Sequence, residues 1–215
     1  MGHRSSYVES RLKSGTPVIV ISIPDGILAF TVRRHARKIY EIYDRLLFGA
    51  IGQQSDVEQI RVSAIDFAHQ EGYQRSEDDV TIQRVINALS QPLKRAFADF
   101  NTSPFVFQGL FAEVGETPEQ DSIYLLDFDG DFSMLNQRGY LTGDQESGER
   151  LHAALAALDL TKLTPEKAID SLKRIWAETL DPEDKRSFDK LTANLTPEIA
   201  LLLRHPVGEE RFRLL

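Results

Sequence analysis

The sequence predicts an α+β fold in the form of a four-layer αββα sandwich. Apolar runs rich in β-branched residues recur as hairpins, and amphipathic helices occur in successive pairs. Along the chain the order is strands, two helices, strands, two helices, strands. Two sheets stacked face to face, with one helix pair on each outer side, would bury every apolar stripe in this order.

Composition limits the number of domains, the classes of partner and the kinds of site that the protein can have. A chain of 215 residues with 41% hydrophobic content can bury one large core, so we expect a single domain over 1–215. The net charge of −8 is spread along the chain, which argues against a nucleic-acid or membrane-surface partner. The absence of cysteine excludes disulfides and thiolate metal sites. No apolar run approaches the roughly 20 residues of a membrane-spanning helix, and no signal-peptide core is seen, so we expect a cytoplasmic protein.

The beginning of the chain is expected to form the unit against which the rest packs. Residues 1–14 are an N-terminal extension, whose second half makes one or two helical turns and stops at Gly15. Apolar runs at 17–23 and 27–32 flank the turn Pro24-Asp25-Gly26. Proline presets a negative φ and glycine accepts a positive one, so these runs predict a hairpin, buried on both faces because both arms are apolar throughout.

Two more strands and the first helix pair follow a basic run at 33–38. Residues 39–51 predict two short strands, and Ser55-Asp56-Val57-Glu58 has the spacing of a capping box that opens a helix ending near Gly72. Apolar residues at helical spacing over 82–100 predict a second helix, with a kink expected at Pro92.

In the second half of the chain, strands again alternate with a pair of helices, although the sequence contains no internal repeat. Strands are predicted at 105–114, 123–128, 132–135 and 140–142, and at 199–204 and 211–215. Between these two groups lie a helix after Gly143 and another opened by the N-cap Thr164 with Pro165 at its first position. The charged segment 180–195 is expected to be a surface excursion.

The order and spacing of several short segments resemble a proteasome subunit, most closely the bacterial α-type. That family belongs to the N-terminal nucleophile hydrolase superfamily, whose fold is the same four-layer sandwich. The segments are Lys13-Ser14-Gly15-Thr16, Gly26-Ile27-Leu28, Lys38-Ile39, Tyr43-Asp44-Arg45, Gly52, Phe67-Ala68 and Gly72-Tyr73.

The resemblance leaves two functions to weigh. Catalytic β subunits cleave a Gly-Thr bond to expose a threonine whose free amine acts as base, and Gly15-Thr16 with Lys38 matches that arrangement. Against this, Val32 stands where β subunits carry an acidic residue, Pro17 follows Thr16 directly, and the expected Ser-Arg-Asp-x-x-Ser-like segment is missing. We therefore expect a noncatalytic α-type subunit, with a threonine peptidase using Thr16 and Lys38 as the alternative.

For an α-type subunit the resemblance implies partners and a binding pocket. It implies a ring of identical subunits, seven in number, that stacks on proteasome β subunits, controls the access of unfolded protein substrates and needs no cofactor. It also implies that the C-terminal tail of an ATPase or other ring activator docks at Gly15, Lys38 and Gly52, although Glu9 stands where some α subunits carry arginine. An ammonium can pair with a terminal carboxylate, while glycines let backbone approach. The alternative is that Lys38 is an ordinary lysine at a strand edge.

Two other patterns have simpler interpretations. Asp127 and Asp129, in Tyr124-Leu125-Leu126-Asp127-Phe128-Asp129-Gly130, resemble the nucleophile strand of haloacid-dehalogenase-type phosphatases. Such a strand needs a helix soon after it, whereas more strand-like sequence follows here, so a hairpin turn is favoured. The five histidines show no metal-ligand spacing, and no metal site is expected; they are His3, His35, His69, His152 and His205.

Overall fold

The computed structural model describes residues 2–208 and 210–215 of the chain. The helices are α1 Gly2–Leu12, α2 Gln54–Gln74, α3 Ile82–Ala98, α4 Gln145–Ala156, α5 Pro165–Leu180 and α6 Phe188–Leu191. The strands are β1 Val18–Ile23, β2 Gly26–Arg33, β3 Ile39–Tyr43, β4 Leu46–Gly52, β5 Phe107–Glu113, β6 Ser122–Asp127, β7 Phe132–Leu135, β8 Arg138–Leu141, β9 Thr196–Leu203 and β10 Phe212–Leu214.

Two antiparallel five-stranded sheets form the centre of the molecule. The first has the order β10-β9-β2-β1-β8 and the second the order β3-β4-β5-β6-β7. Strand β3 lies over β2 and β9, while β5 and β6 lie over β8. Helices α2 and α3 cover the outer face of the second sheet, and α4 and α5 cover that of the first. The predicted four-layer αββα sandwich is therefore confirmed.

The β1–β2 hairpin forms as predicted and is buried on both faces. Every residue of β1 is buried, because alternate side chains face the other sheet and the α4–α5 layer. At the turn, Gly26 has φ +152°, and a Cβ there would lie 2.1 Å from the carbonyl oxygen of Leu202. Only glycine fits this close approach between β2 and β9.

The helix ends differ from the predicted ones. Helix α2 begins at Gln54, one residue before Ser55, whose hydroxyl bonds Asp56 and makes no cap. The capping-box prediction is wrong because the N–H of Gln53 bonds the carbonyl oxygen of Val106, which starts the helix earlier. Helix α3 ends at Ala98, and Phe100, predicted to lie on its apolar stripe, is 68% exposed.

Segment 180–195 contributes to the layer outside the first sheet. Its helix α6 places the ring of Phe188 at 5.6 Å from Trp176 and 5.9 Å from Phe30, measured between centroids. At its start, Asp181 accepts hydrogen bonds from the backbone and guanidinium of Arg186. Among the described residues, no helix is both long and apolar enough to cross a bilayer.

A buried ion pair joins the two sheets at the end that carries the β1–β2 turn. Arg204 donates to both carboxylate oxygens of Asp121, at 2.6 and 2.9 Å, with side chains only 2% and 0% exposed. Arg204 also donates to the carbonyl oxygens of Ile23 and Gly115, and Asp121 accepts from the hydroxyl of Ser22. Satisfied in this way, the two charges tolerate complete burial.

We expect Arg204→Met to lower the free energy of unfolding by about 3–5 kcal/mol, because it leaves the carboxylate of Asp121 buried without a partner. Denaturant unfolding measures the loss. The exposed Arg174→Met is the control and should change the free energy by less than about 0.5 kcal/mol. Unfolding of both variants at the same denaturant concentration would contradict the stabilising role of Arg204 in this ion pair.

Candidate functional site

The fold brings together the residues of the predicted Gly-Thr junction and the predicted lysine. Thr16 lies two residues before β1, and Lys38 immediately precedes β3 in the opposite sheet. The ammonium of Lys38 donates to the carbonyl oxygen of Thr16 at 2.8 Å and to its hydroxyl. The hydroxyl of Thr16 in turn donates to the carbonyl oxygen of Val32. A hydroxyl and a lysine amine therefore stand in contact at one end of the sandwich.

Helix α1 covers the end of the sandwich at which Thr16 lies. Val8 is 0% and Leu12 is 5% exposed, and both belong to the apolar core between the two sheets. The N–H of Gly15 donates to the carbonyl oxygen of Leu12 at 2.9 Å, and Arg4 donates to the carbonyl oxygen of Ala96. In the uncleaved chain, the three residues before Thr16 thus connect it to a helix that is part of the core. An amide nitrogen cannot serve as the base that a threonine nucleophile needs.

Burial dominates the electrostatics of Lys38. Loss of hydration lowers the pKa of its ammonium from 10.5 to about 8, and the negative charge of Glu198 opposes that shift. At neutral pH the amine is mostly protonated and can donate to both oxygens of Thr16. This lysine therefore ties the chain before β1 to the chain before β3.

Glu198 on β9 is the acidic residue nearest to this arrangement that sequence reasoning missed. Its carboxylate is almost buried and accepts the backbone N–H groups of Lys38 and Ile39, at 3.0 and 3.2 Å. The guanidinium groups of Arg33 and Arg37 lie 3.5 and 3.4 Å away. Glu198 therefore stabilises the loop that carries Lys38. A single acid at the start of an otherwise apolar strand was the available signal.

The three residues expected to bind an activator tail do not all face one pocket. Gly52 lines a pocket of about 380 Å³ together with Ser10, Arg11, Ser14, Gln53 and Val106. Gly15 lies nearby, since a Cβ there would be 3.3 Å from that of Ile51. Lys38 points to Thr16 instead. Arg11, which sequence reasoning did not single out, supplies the cation of this pocket.

Gly52 is held in a conformation that favours glycine. Its φ is +142°, and a Cβ would lie 2.1 Å from the carbonyl oxygen of Val106. The side chain of Glu9, at the position where some α subunits carry arginine, is exposed on α1.

Asp127 and Asp129 lie at the β6–β7 turn, as the hairpin interpretation predicted. The N–H of Gly130 donates to the carbonyl oxygen of Asp127 at 3.0 Å, and β7 follows instead of a helix. Burial raises the pKa of Asp127, and the charges of Asp129, Asp131 and Glu9 raise it further, while a hydrogen bond from Gln108 opposes them. Raising this pKa favours the protonated acid over the carboxylate that an attacking nucleophile would need.

Comparison with known proteins shows the family to which the chain belongs. The family model described as "Proteasome subunit" matches residues 14–194. The proteasome subunit alpha of Thermobifida fusca is 35% identical over 157 residues, which are 72% of this chain and 61% of that protein. That of Kineococcus radiotolerans is 33% identical over 175 residues, 77% of this chain and 73% of that protein. The proteasome subunit alpha of Frankia alni is 36% identical over 140 residues, which are 64% of this chain and 57% of that protein.

The pKa of Lys38 predicts a pH dependence of stability. Between pH of about 8 and 10.5 the unfolded chain holds a proton that the folded chain has lost, so wild-type stability rises with pH. Relative to Lys38→Met, the wild-type free energy of unfolding should gain at most about 3 kcal/mol across this window. Denaturant unfolding at several pH values measures it. Parallel stability curves for the two proteins would show that Lys38 titrates normally.

Proposed function

Since this chain belongs to the proteasome subunit family and its relatives in the comparison are α subunits, we propose that it is a noncatalytic α-type subunit. It assembles into a closed ring of seven identical copies, stacks on proteasome β subunits and controls the access of unfolded proteins to their chamber. Its place of action is the cytoplasm.

The packing of α1 is the observation that carries the noncatalytic part of the proposal. A catalytic subunit has to lose the residues before its threonine, and here those residues include Val8 and Leu12 of the core between the sheets. Each buried aliphatic side chain of this size contributes about 1.5–3 kcal/mol to stability. Cleavage before Thr16 would therefore uncover the core between the sheets.

The contact between Thr16 and Lys38 favours the alternative, a threonine peptidase processed at Gly15-Thr16. A hydroxyl beside an amine of lowered pKa is the pairing that such chemistry uses. Against it, Val32 stands where catalytic subunits carry an acidic residue and offers only its carbonyl oxygen to the hydroxyl, and cleavage would remove Val8 and Leu12 from the core. We therefore rank this function second.

The ends of α1 and β4 form the proposed docking place for an activator tail. The pocket beside Gly52 is lined by Ser10, Arg11, Ser14, Gln53 and Val106, and Gly15 follows Ser14 directly. A free carboxylate would be held there by a charge-assisted hydrogen bond to Arg11. In this proposal Gly15 and Gly52 admit the tail, and Lys38 holds the adjoining chain in place through Thr16.

Intact mass separates the two functions. We expect the purified chain to keep residues 1–15, to have the full mass of 24.3 kDa and to be inactive on fluorogenic peptides. In native measurements a ring of seven would have a mass of about 170 kDa. Thr16→Ala is the matched control and should behave identically. A wild-type protein that begins at Thr16 and cleaves peptides, while Thr16→Ala stays intact, would establish the peptidase.

The pocket proposal predicts recognition of a free C-terminus. We expect Arg11→Ala to weaken binding of the C-terminal peptide of the partner ring ATPase about tenfold, because one charge-assisted hydrogen bond is lost. Fluorescence anisotropy measures the affinity. Amidation of the peptide should weaken its binding to the wild-type protein by a similar factor. The control variant Lys185→Ala, at an exposed position, should bind the free peptide as tightly as the wild type. Equal binding of amidated and free peptides would contradict the pocket.

A further inference from the structure

The sandwich has two lateral edges that differ in shape and charge. On one side, β3 and β10 end their sheets, and on the other side β7 and β8 do. Because β3 lies over β9 while β5 and β6 lie over β8, these edges are on opposite sides of the molecule. Each edge presents unpaired backbone groups, which favour contact with another chain. We call them the β3/β10 edge and the β7/β8 edge.

The β7/β8 edge carries an exposed apolar strand beside a groove. Phe132 and Met134 on β7 are 42% and 58% exposed. The groove, of about 700 Å³, runs along β8 and reaches α4, and its apolar lining includes Leu125, Leu135 and Leu155. An apolar edge strand next to a groove of this size marks a contact surface for another protein.

The end of this edge that carries the turn between β6 and β7 is acidic. Asp129 and Asp131 lie in the turn that leads into β7, and Asp127 precedes them on β6. Within residues 2–208 and 210–215, none of the three takes part in an ion pair. Their mutual repulsion contributes to the raised pKa of Asp127. A cationic surface on a partner would relieve that repulsion.

The β3/β10 edge is basic at the loop between β2 and β3, where residues 33–38 include three arginines and a lysine. The loop between β2 and β3 carries Arg34 and Arg37, and Arg213 lies on β10. Glu198 pairs with Arg33 and Arg37, and Glu41 and Glu210 lie near Arg213, so the basic charge without a nearby acid is that of Arg34 in the loop. Leu214 on β10 is an exposed apolar residue, at 54%. This edge therefore combines exposed apolar side chains with a basic loop, as the opposite edge combines exposed apolar side chains with an acidic turn.

We propose that the β3/β10 edge of one copy docks on the β7/β8 edge of the next, with the arginine loop facing the aspartate turn. A closed ring needs such a head-to-tail contact between two different surfaces of the same chain. This inference rests on the proposed ring and assigns the surfaces that build it. The occupant of the β7/β8 groove is a second copy of this chain.

Charge reversal at Arg34 and Asp131 tests the pairing. Both side chains are exposed, and neither forms an ion pair or a side-chain hydrogen bond in the described chain, so the fold should tolerate the changes. The mass of the full chain is measured by light scattering over a range of concentrations, alone and with the proteasome β subunit. Lys190→Glu and Glu183→Lys are control reversals on the surface near α6.

We expect Arg34→Glu and Asp131→Lys each to raise the concentration needed for assembly about tenfold or more, since an attractive contact becomes repulsive. The double variant Arg34→Glu/Asp131→Lys should assemble better than either single variant, because opposite charges face each other again. The controls should assemble like wild type.

Three results would overturn the pairing of these edges. They are unchanged assembly of both single variants, no recovery in the double variant, and a wild-type chain that stays at 24.3 kDa under both conditions. Rings that survive both reversals would leave the α-type proposal standing, with other surfaces in contact. An active protein beginning at Thr16 would refute that proposal whatever the edges do.

Discussion

The space between the two sheets has to be closed where β1 begins, and the rest of the site depends on how α1 closes it. Val8 and Leu12 enter the same apolar core as Val18 of β1 and Phe97 of α3. Their burial replaces water at the open end of the sandwich by close packing. The chain after α1 then has one path into β1, and that path carries Thr16 as an internal residue.

Once Thr16 is internal, its contact with Lys38 becomes a structural link between the sheets. Lys38 connects the start of β1 to the start of β3, and Glu198 connects the same loop to β9 through two backbone N–H groups. Strands β1, β3 and β9 are thus joined at one end, and at the other end Arg204 and Asp121 join β9 and β1 to the start of β6. Hydroxyl and amine remain adjacent, and in the uncleaved chain the backbone nitrogen of Thr16 is an amide, which cannot act as the base that a threonine nucleophile uses.

Local patterns in the sequence were enough to predict the layers but not the contacts between distant segments. Periods of 2 and 3.6 residues identify strands and helices, and Pro24-Asp25-Gly26 identifies the hairpin, because these signals act over a few neighbours. The start of α2 was missed because the backbone of Gln53 pairs with Val106, far along the chain. Glu198 was missed for the same reason, and Arg11 was missed because the pocket that it lines forms only in the tertiary fold. The resemblance identified Thr16 and Lys38 as site residues. It did not predict that the lysine side chain points to Thr16, because that direction depends on the tertiary structure.

The sandwich presents helices on its two faces and leaves strands at its lateral edges, so the stacking and ring contacts that we propose would use different surfaces. All of this presupposes that α1 is part of the core. Native-state hydrogen exchange tests that directly. We expect the amides of Val8 and Leu12 to exchange only with global unfolding, with the same denaturant dependence as those of β1. Fast exchange of the α1 amides by local opening, while the β1 amides stay protected, would contradict the claim that α1 is part of the core.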